Sequence, residues 1–263
     1  MKRARNWGQI IQRRLAGRLG VRRPAFVTFV QRCHDLPPLY VYQMGKVASS
    51  SLRYSLEATY PGQVVHSHHF GPQHRKWEVE YLYRAWQKGP FPLKVISLIR
   101  EPVGRNISAF FENFERFTRI PFEQNPYTAE ELQLIFLTRY AHNIPLLWLE
   151  SELQHSFGVD VYASPFPREG HLRMQQGPVD FLLMKHQLTD EYKAKLVQDF
   201  VPLEQLEWHN RNQGTEKPYA QLYQEFKALP LPDWYLDQMY NSRYARHFYG
   251  DEIESLRQQW SGR

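Results

Sequence analysis

The chain has 263 residues, enough for one substantial hydrophobic core with or without an appendage. Cys33 is the only cysteine, which excludes a disulfide within the chain and a cysteine-based zinc cluster. No stretch approaches the roughly 18 apolar residues of a membrane span, and the first residues lack the pattern of a cleavable secretory signal. We therefore expect a protein of a reducing compartment such as the bacterial cytoplasm.

The net charge of +6 is concentrated at the N-terminus. Residues 1–32 contain nine Lys or Arg and no acidic residue, which leaves 24 basic and 27 acidic side chains for the remaining chain. A high isoelectric point that comes from a terminal arm does not indicate a nucleic-acid-binding fold, so no nucleic acid partner is expected.

Apolar residues recur every four positions in this basic arm, at Trp7, Ile11, Leu15 and Leu19. The spacing predicts an amphipathic helix that ends near Pro24. Three interpretations stay open: the helix packs on its own domain, it contacts an anionic membrane surface such as the inner membrane, or it is an organelle transit peptide. We divide the chain into an arm, residues 1–34, and one domain, residues 35–263.

After the arm, strand patterns alternate with helix patterns. Strands are predicted at residues 39–43, 63–68, 93–99 and 180–185. Helical patterns begin at Ser50, cover 74–88 and 104–117, run through 129–157 with an interruption at Pro145, and continue from about Thr189 to the C-terminus. This alternation predicts a three-layer α/β fold with a central parallel sheet and helices on both faces.

The first chemical motif follows the first strand and reads GKVASSSL, residues 45–52. A strand that turns through small residues into a helix presents unpaired helix amides to an anion, and Lys46 adds a positive charge. The loop is not an ATP-binding Walker A sequence, because Tyr40 stands where that motif has its first glycine and Val47 replaces the metal-binding Ser or Thr. It therefore predicts phosphate binding without a metal, although an ordinary serine-capped turn has the same pattern.

The second motif, REPVGRNISAFF, follows the apolar strand 93–99. Arg100 stands at the end of that strand, and Ser108 lies eight residues later on the next helix, one turn beyond Arg105. The carboxyl ends of parallel strands meet at one edge of a sheet, so the two motifs predict neighbouring anion pockets. Two such pockets suit a ligand with two separate phosphates.

Together the two motifs resemble the donor site of sulfotransferases that use 3′-phosphoadenosine-5′-phosphosulfate (PAPS). GKVASSSL looks like their 5′-phosphosulfate loop, and LIREPVGRNISAFF is similar to their 3′-phosphate motif. The later segment NQGTEKPYAQLYQEFK resembles the Lys-Trp-Tyr-Ser segment of a bacterial family of capsular polysaccharide synthesis proteins, but it lacks the Trp and the Ser. The resemblance covers roughly residues 38–250 and implies a sulfotransferase domain with a fold like that of P-loop nucleotide kinases.

The resemblance also implies roles for particular residues. Lys46 would stabilise the charge that develops on the 5′-phosphate, and Arg100 with Ser108 would bind the 3′-phosphate. The implied donor contacts are Lys46, Val47, Ala48, Ser49, Ser50, Ser51, Arg100, Ser108, Asn212 and Lys217. No metal is implied.

An acceptor hydroxyl needs a general base, and the segment VVHSHHF, residues 64–70, ends the second strand on the same predicted edge. Strand alternation puts His66 and His68 on one face, with His69 on the other. We expect His68 to be the base and His66 to be the second candidate. The alternative is that the three histidines are polar packing at the end of a strand, or a chance metal site. The other base candidates are His186, Glu101 and Glu112.

The expected activity is sulfuryl transfer to a hydroxyl of a glycan, a glycolipid or a small metabolite. Two alternatives remain: a nucleotide kinase on the same scaffold, and a non-enzymatic protein that binds a nucleotide or lipid. The incomplete Walker A pattern disfavours the kinase. The joint presence of Lys46, Arg100 and Ser108 disfavours the non-enzymatic protein.

Overall fold

The computed structural model describes residues 17–18, 23–201, 203–209 and 217–262, apart from the side chains of Arg23 and Ser49. Its central sheet has five strands: β1 Leu39–Tyr42, β2 Val64–Ser67, β3 Leu93–Ile99, β4 His171–Gln176 and β5 Val179–Lys185. Their spatial order is β2-β1-β3-β5-β4. All neighbouring pairs are parallel except β4 with β5. The predicted α/β fold, with a mostly parallel sheet flanked by helices, is confirmed.

Helices connect and follow the strands. Before and between the first strands lie α1 Arg23–Asp35, α2 Ser49–Thr59 and α3 Trp77–Lys88, and β3 is followed by α4 Pro102–Glu112, α5 Phe114–Thr118 and α6 Ala129–Arg139. Next, α7 Ile144–Trp148 continues through a π-helical stretch, Leu149–Gln154, into α8 His155–Phe157. The C-terminal part contains α9 Asp190–Phe200, α10 Ala220–Ala228, α11 Asp233–Tyr240, α12 Arg243–Tyr249 and α13 Ile253–Ser261.

Strand β3 has the composition of a central strand. Its residues LKVISLI are all buried except Lys94, which is half-buried and reaches Asp180 at 2.9 Å. A parallel strand covered on both faces needs such a continuous apolar run. β4 was not predicted because it is an edge strand of mixed polarity, HLRMQQ, with mostly exposed or half-buried side chains.

The core has two parts. One surrounds the sheet, and the other is formed by helices after β3, with Phe110, Phe136, Phe226 and Tyr240 at its centre. Helix α4 belongs to this second part and begins directly beyond β3. The start of α4 is capped by Glu101, whose carboxylate accepts hydrogen bonds from the backbone amides of Val103 and Gly104.

The chain order places a crevice between β1 and β3. From β1 the chain passes to β2 on one side, and it then crosses back over β1 to reach β3 on the other side. This reversal is a topological switch point, and ligands of open α/β sheets bind beyond the carboxyl ends of the strands at such points. Both predicted anion motifs, at Lys46 and Arg100, follow these two strands.

Helix α1 lies against the domain. Phe26 and Phe29 are buried, and both rings contact Trp77 and Tyr81 at centroid distances of 5.0–6.2 Å. The four apolar positions of the predicted arm helix, Trp7 to Leu19, lie outside the described residues. None of the helices that the structure describes is long and apolar enough to cross a membrane.

Candidate functional site

The loop between β1 and α2 has an unusual backbone. Lys46 and Ala48 have φ angles of 69° and 65°, in the left-handed region that non-glycine residues rarely adopt. Such conformations cluster in functional loops. Ala48 is the N-cap of α2 and makes no side-chain cap hydrogen bond, so the first amides of the 11-residue helix face the loop without a capping side chain.

A cavity of about 840 Å³ opens at the carboxyl ends of β1 and β3. It brings together most of the residues expected to bind a donor or act in catalysis, namely Lys46, Ala48, Ser50, Ser51, His66, His68, Arg100, Ser108 and Lys217. Val47 is fully buried in the core around the sheet, so it could contact a ligand only through its backbone. Asn212 lies outside the described residues.

Two arginines of this cavity have no carboxylate within salt-bridge distance among the described residues. Arg105 is only 5% exposed, and its side chain donates to the carbonyl oxygen of Gly45 at 3.0 Å and to the hydroxyl of Tyr140 at 2.7 Å. Arg100 donates to the carbonyl oxygen of Lys46 at 3.3 Å. Within the described part of the chain, no carboxylate lies within 4 Å of either guanidinium. A buried cation without an anion is costly, so the cavity is suited to an anionic ligand.

Glu112 joins the two lysines of the site. Its Oε2 lies 3.3 Å from Nζ of Lys46 and 3.8 Å from Nζ of Lys217, and it accepts a hydrogen bond from the hydroxyl of Tyr219 at 2.9 Å. Burial raises the pKa of Glu112, but Lys46, Tyr219 and Lys217 outweigh it, and the net pKa lies below the usual value. Glu112 is therefore ionised at neutral pH and holds Lys46 beside the loop.

The ring of His68 has one nitrogen engaged and one directed to the loop. Its Nδ1 lies 2.6 Å from the carbonyl oxygen of Gln43, which can only accept, so Nδ1 carries the proton. The Nε2 atom lies beside Gly45, 3.7 Å from the position that a Cβ atom would take there. Burial lowers the pKa of His68, against the opposing effect of the Gln43 carbonyl. His68 is thus neutral at pH 7, with the Nε2 lone pair available to accept a proton.

The other histidines are less suited to this role. Burial lowers the pKa of His66 to about 3, and its ring packs edge-on against His68 with centroids 5.0 Å apart. His69 is exposed and pairs with Glu152 at 2.8 Å. Burial, with a smaller effect of Arg100, lowers the pKa of His186 to about 4.

The two glutamates proposed as alternative bases already have hydrogen-bond or ion-pair partners. Glu101 caps α4 and accepts a third hydrogen bond from Tyr240 at 3.0 Å. Glu112 is the bridge between the two lysines. In the described chain, no group of three or more His, Cys, Asp or Glu side chains is arranged to hold a metal ion.

Two residues that the sequence did not single out hold the loop that carries His68. Trp148 Nε1 donates to the carbonyl oxygen of His68 at 2.9 Å. Glu152 contacts His69 and accepts from the amide of Phe70 at 3.4 Å, and it also accepts a short hydrogen bond from Tyr42. Glu152 lies in the π-helical stretch, a conformation that is frequent at functional sites. The sequence showed these positions only as part of a helical pattern.

Comparison with known proteins links part of the chain to a family. The family model described as "Putative capsular polysaccharide synthesis protein" (NKWYS) matches residues 124–250, a little under half of the chain. Searches of curated proteins and of solved structures gave no match. The matched part contains the cavity residues Tyr140, Trp148, His186, Lys217 and Tyr219, whereas Lys46, His68 and Arg100 precede it. Residues 124–250 are therefore similar to a family of capsular polysaccharide synthesis proteins.

Proposed function

We propose that this protein transfers a sulfuryl group from PAPS to a hydroxyl of a glycan or glycolipid acceptor. The observation that carries the proposal is the joint placement of Arg100 and Arg105, which have no carboxylate partner in the described chain, in one cavity with Lys46 and His68. The similarity of residues 124–250 to capsular polysaccharide synthesis proteins supports a carbohydrate acceptor.

The donor set of the cavity fits the two phosphate groups of PAPS. The backbone of the loop and the hydroxyls of Ser50 and Ser51 would hold the 5′-phosphosulfate beside Lys46. Arg100 and Ser108 would hold the 3′-phosphate, and Lys217 lines the same cavity. Among the residues that the structure describes in the cavity, five are Lys or Arg and one, Glu112, is a carboxylate. This excess of positive charge suits a ligand with several negative charges.

When bound, PAPS supplies a sulfuryl group whose bond to the 5′-phosphate oxygen breaks as the acceptor oxygen bonds to sulfur. His68 Nε2 accepts the proton of the acceptor hydroxyl, and its Nδ1–H stays bonded to Gln43. Lys46 provides a fixed positive charge where the leaving phosphate becomes more negative. Glu112 keeps the ammonium group of Lys46 at that position.

Titration calorimetry with 3′-phosphoadenosine 5′-phosphate, the product of PAPS, tests the donor site. We expect binding in the presence of EDTA, because Val47 stands where a metal-binding hydroxyl would be needed. Arg100→Ala should weaken this binding, and Arg84→Ala, which removes an exposed arginine outside the cavity, should not. Binding of ATP alone, and only with magnesium, would instead indicate a nucleotide kinase.

Transfer of radiolabelled sulfate from PAPS to cell-surface glycan precursors tests the reaction itself. We expect the wild-type protein to label an acceptor. The His68→Ala variant should label it much more slowly. Nucleotide binding without transfer to any glycan, glycolipid or small hydroxylated acceptor would favour the non-enzymatic alternative.

For localisation we propose the cytoplasm, with the basic arm at the surface of the inner membrane.

A further inference from the structure

We propose that a second cavity, next to the first, binds the acceptor as an oligosaccharide chain and holds sugar units beyond the one that reacts. The cavity has a volume of about 820 Å³. It is lined by the end of α4, by α5 with the following segment to Glu123, and by residues 217–219. The inference extends the proposed function, because it assigns the acceptor of that reaction to a place and a substrate class.

The two cavities adjoin each other. Five residues line both of them: Glu112, Asn113, Arg116, Lys217 and Tyr219. Glu112 contacts Lys46 in the first cavity at 3.3 Å, so the second cavity begins directly beside the residue that faces the leaving phosphate. A chain bound in the second cavity can therefore extend into the first, where His68 is located.

The charges of the two cavities differ in a way that separates two kinds of ligand. The described lining of the first cavity has five cations and one carboxylate. The described lining of the second cavity has three carboxylates (Glu112, Glu115 and Glu123) and three cations (Arg116, Arg119 and Lys217). A polyanionic nucleotide is favoured by the first set, whereas the balanced second set suits a ligand that is rich in hydroxyls and carries little charge.

The second cavity contains aromatic rings on which a sugar ring can pack. Phe122 and Tyr219 are half-buried, and their rings meet at 5.9 Å with an interplanar angle of 74°. The ring of Phe122 packs against the buried ring of Phe114, with centroids 5.1 Å apart. The C–H face of a sugar can pack on such rings, which bury much area without requiring a hydrogen bond.

Polar groups surround these rings. Glu115, Glu123 and Arg119 line the same cavity and can bond to the hydroxyls of a sugar, with carboxylates as acceptors and the guanidinium as donor. The volume falls within the range of about 300–1,000 Å³ that is typical of pockets for drug-sized ligands. It therefore has room for more than one sugar ring.

Binding of unlabelled oligosaccharides to the full chain tests this site without any transfer reaction. The probes are cellohexaose, chitohexaose and maltohexaose, each compared with its monosaccharide by saturation-transfer NMR and calorimetry. We expect at least one hexasaccharide to bind about tenfold more tightly than its monosaccharide, because the chain adds aromatic contacts that a single sugar lacks. Equal affinity of every hexasaccharide and its monosaccharide would overturn the proposal.

Two substitutions locate the binding site. Phe122→Ala and Glu123→Gln should each remove most of the gain from chain length, a loss of about 3- to 10-fold. Both variants should bind 3′-phosphoadenosine 5′-phosphate like the wild type. Trp234→Ala is the matched control, since Trp234 is an exposed aromatic residue outside both cavities.

The outcomes separate this inference from the proposed function. If Phe122→Ala weakens nucleotide binding as well, the second cavity belongs to the donor and the inference is wrong. If the wild type binds no 3′-phosphoadenosine 5′-phosphate but binds hexasaccharides through Phe122, the sulfotransferase proposal fails and the glycan site stands.

Discussion

His68 donates from Nδ1 to the carbonyl oxygen of Gln43, the residue that follows β1, at a distance of 2.6 Å. This bond connects the end of β2 to the end of β1, and it decides which nitrogen of His68 carries the proton. The other ring nitrogen, Nε2, then faces Gly45, at the start of the loop that contains Lys46. The proton acceptor and the cation of the proposed reaction thus lie in the segments that follow β2 and β1, two strands that pair directly in the sheet.

His68→Ala should lower kcat by about 10²–10⁴, the usual contribution of a general base, and leave nucleotide affinity unchanged. Sulfate transfer under saturating donor, together with calorimetry, checks both values. His66→Ala should have a milder effect and His69→Ala a milder one still, because His69 is exposed and bonds to Glu152. If the His68→Ala variant keeps more than about a tenth of wild-type activity, another residue is the general base.

The pH dependence of kcat/KM should reflect the lowered pKa of His68. Burial disfavours the charged imidazolium, so the base remains neutral down to a pH below the usual histidine range near 6.5. Activity should therefore be constant near pH 7 and fall only at more acidic pH, as Nε2 becomes protonated. A fall in kcat/KM with a midpoint above pH 6.5 would contradict this expectation. So would a fall at acidic pH that is still present in the His68→Ala variant.

Lys46→Ala and Arg100→Ala should affect different kinetic constants. Lys46 acts on charge that develops during the reaction, so its loss should reduce kcat by about 10²–10³ with little change in nucleotide affinity. Arg100→Ala should mainly weaken nucleotide binding, because the cavity then loses a cation that has no carboxylate partner in the described chain. Comparing calorimetric affinities with kcat for both variants checks the distinction. A Lys46→Ala enzyme with near-normal kcat would refute the role given to Lys46.

Trp148→Phe should lower kcat several-fold without changing nucleotide affinity. The variant loses the hydrogen bond from Nε1 to the His68 carbonyl oxygen, and one such bond contributes about 1 kcal/mol. Glu152→Gln should act in the same direction, because the neutral amide weakens the contacts to His69 and Phe70. Gln154→Ala, at an exposed position of the same π-helical stretch, is the control. If the melting temperature falls but kcat and its pH profile are unchanged, Trp148 and Glu152 have a purely structural role.

Removal of residues 1–22 should abolish sedimentation with vesicles that contain phosphatidylglycerol and leave activity on a soluble acceptor intact. The truncation stops before α1, because Phe26 and Phe29 of that helix pack on Trp77 and Tyr81. Full-length protein with vesicles of uncharged lipid is the control. An insoluble or inactive truncated protein would show that the arm packs on the domain.

Four of the five strands, and the edge of the sheet where the candidate site lies, could be predicted from the sequence. Buried parallel strands are short apolar runs, and the loops that leave their carboxyl ends share one edge, so β1 and β3 could be located together with the motifs that follow them. Helix α9 was also predicted to begin near Thr189, which the structure shows to be its N-cap. The polar edge strand β4 was missed because its alternation is weak. Pro145 stands in the first turn of α7, where proline is tolerated, so the break in the 129–157 pattern comes earlier, between Arg139 and Ile144.

The residues that complete the site could not be predicted in this way, because long-range packing brings them together. Glu112 meets Lys46 and Lys217, and Trp148 meets the carbonyl of His68, across 66 to 105 positions of sequence. Local periodicity predicts that these residues lie on helices, but the packing of α4 and α7 against the sheet edge determines what they contact. The tautomer of His68 has the same origin, because it depends on a backbone carbonyl that the neighbouring strand brings within 2.6 Å.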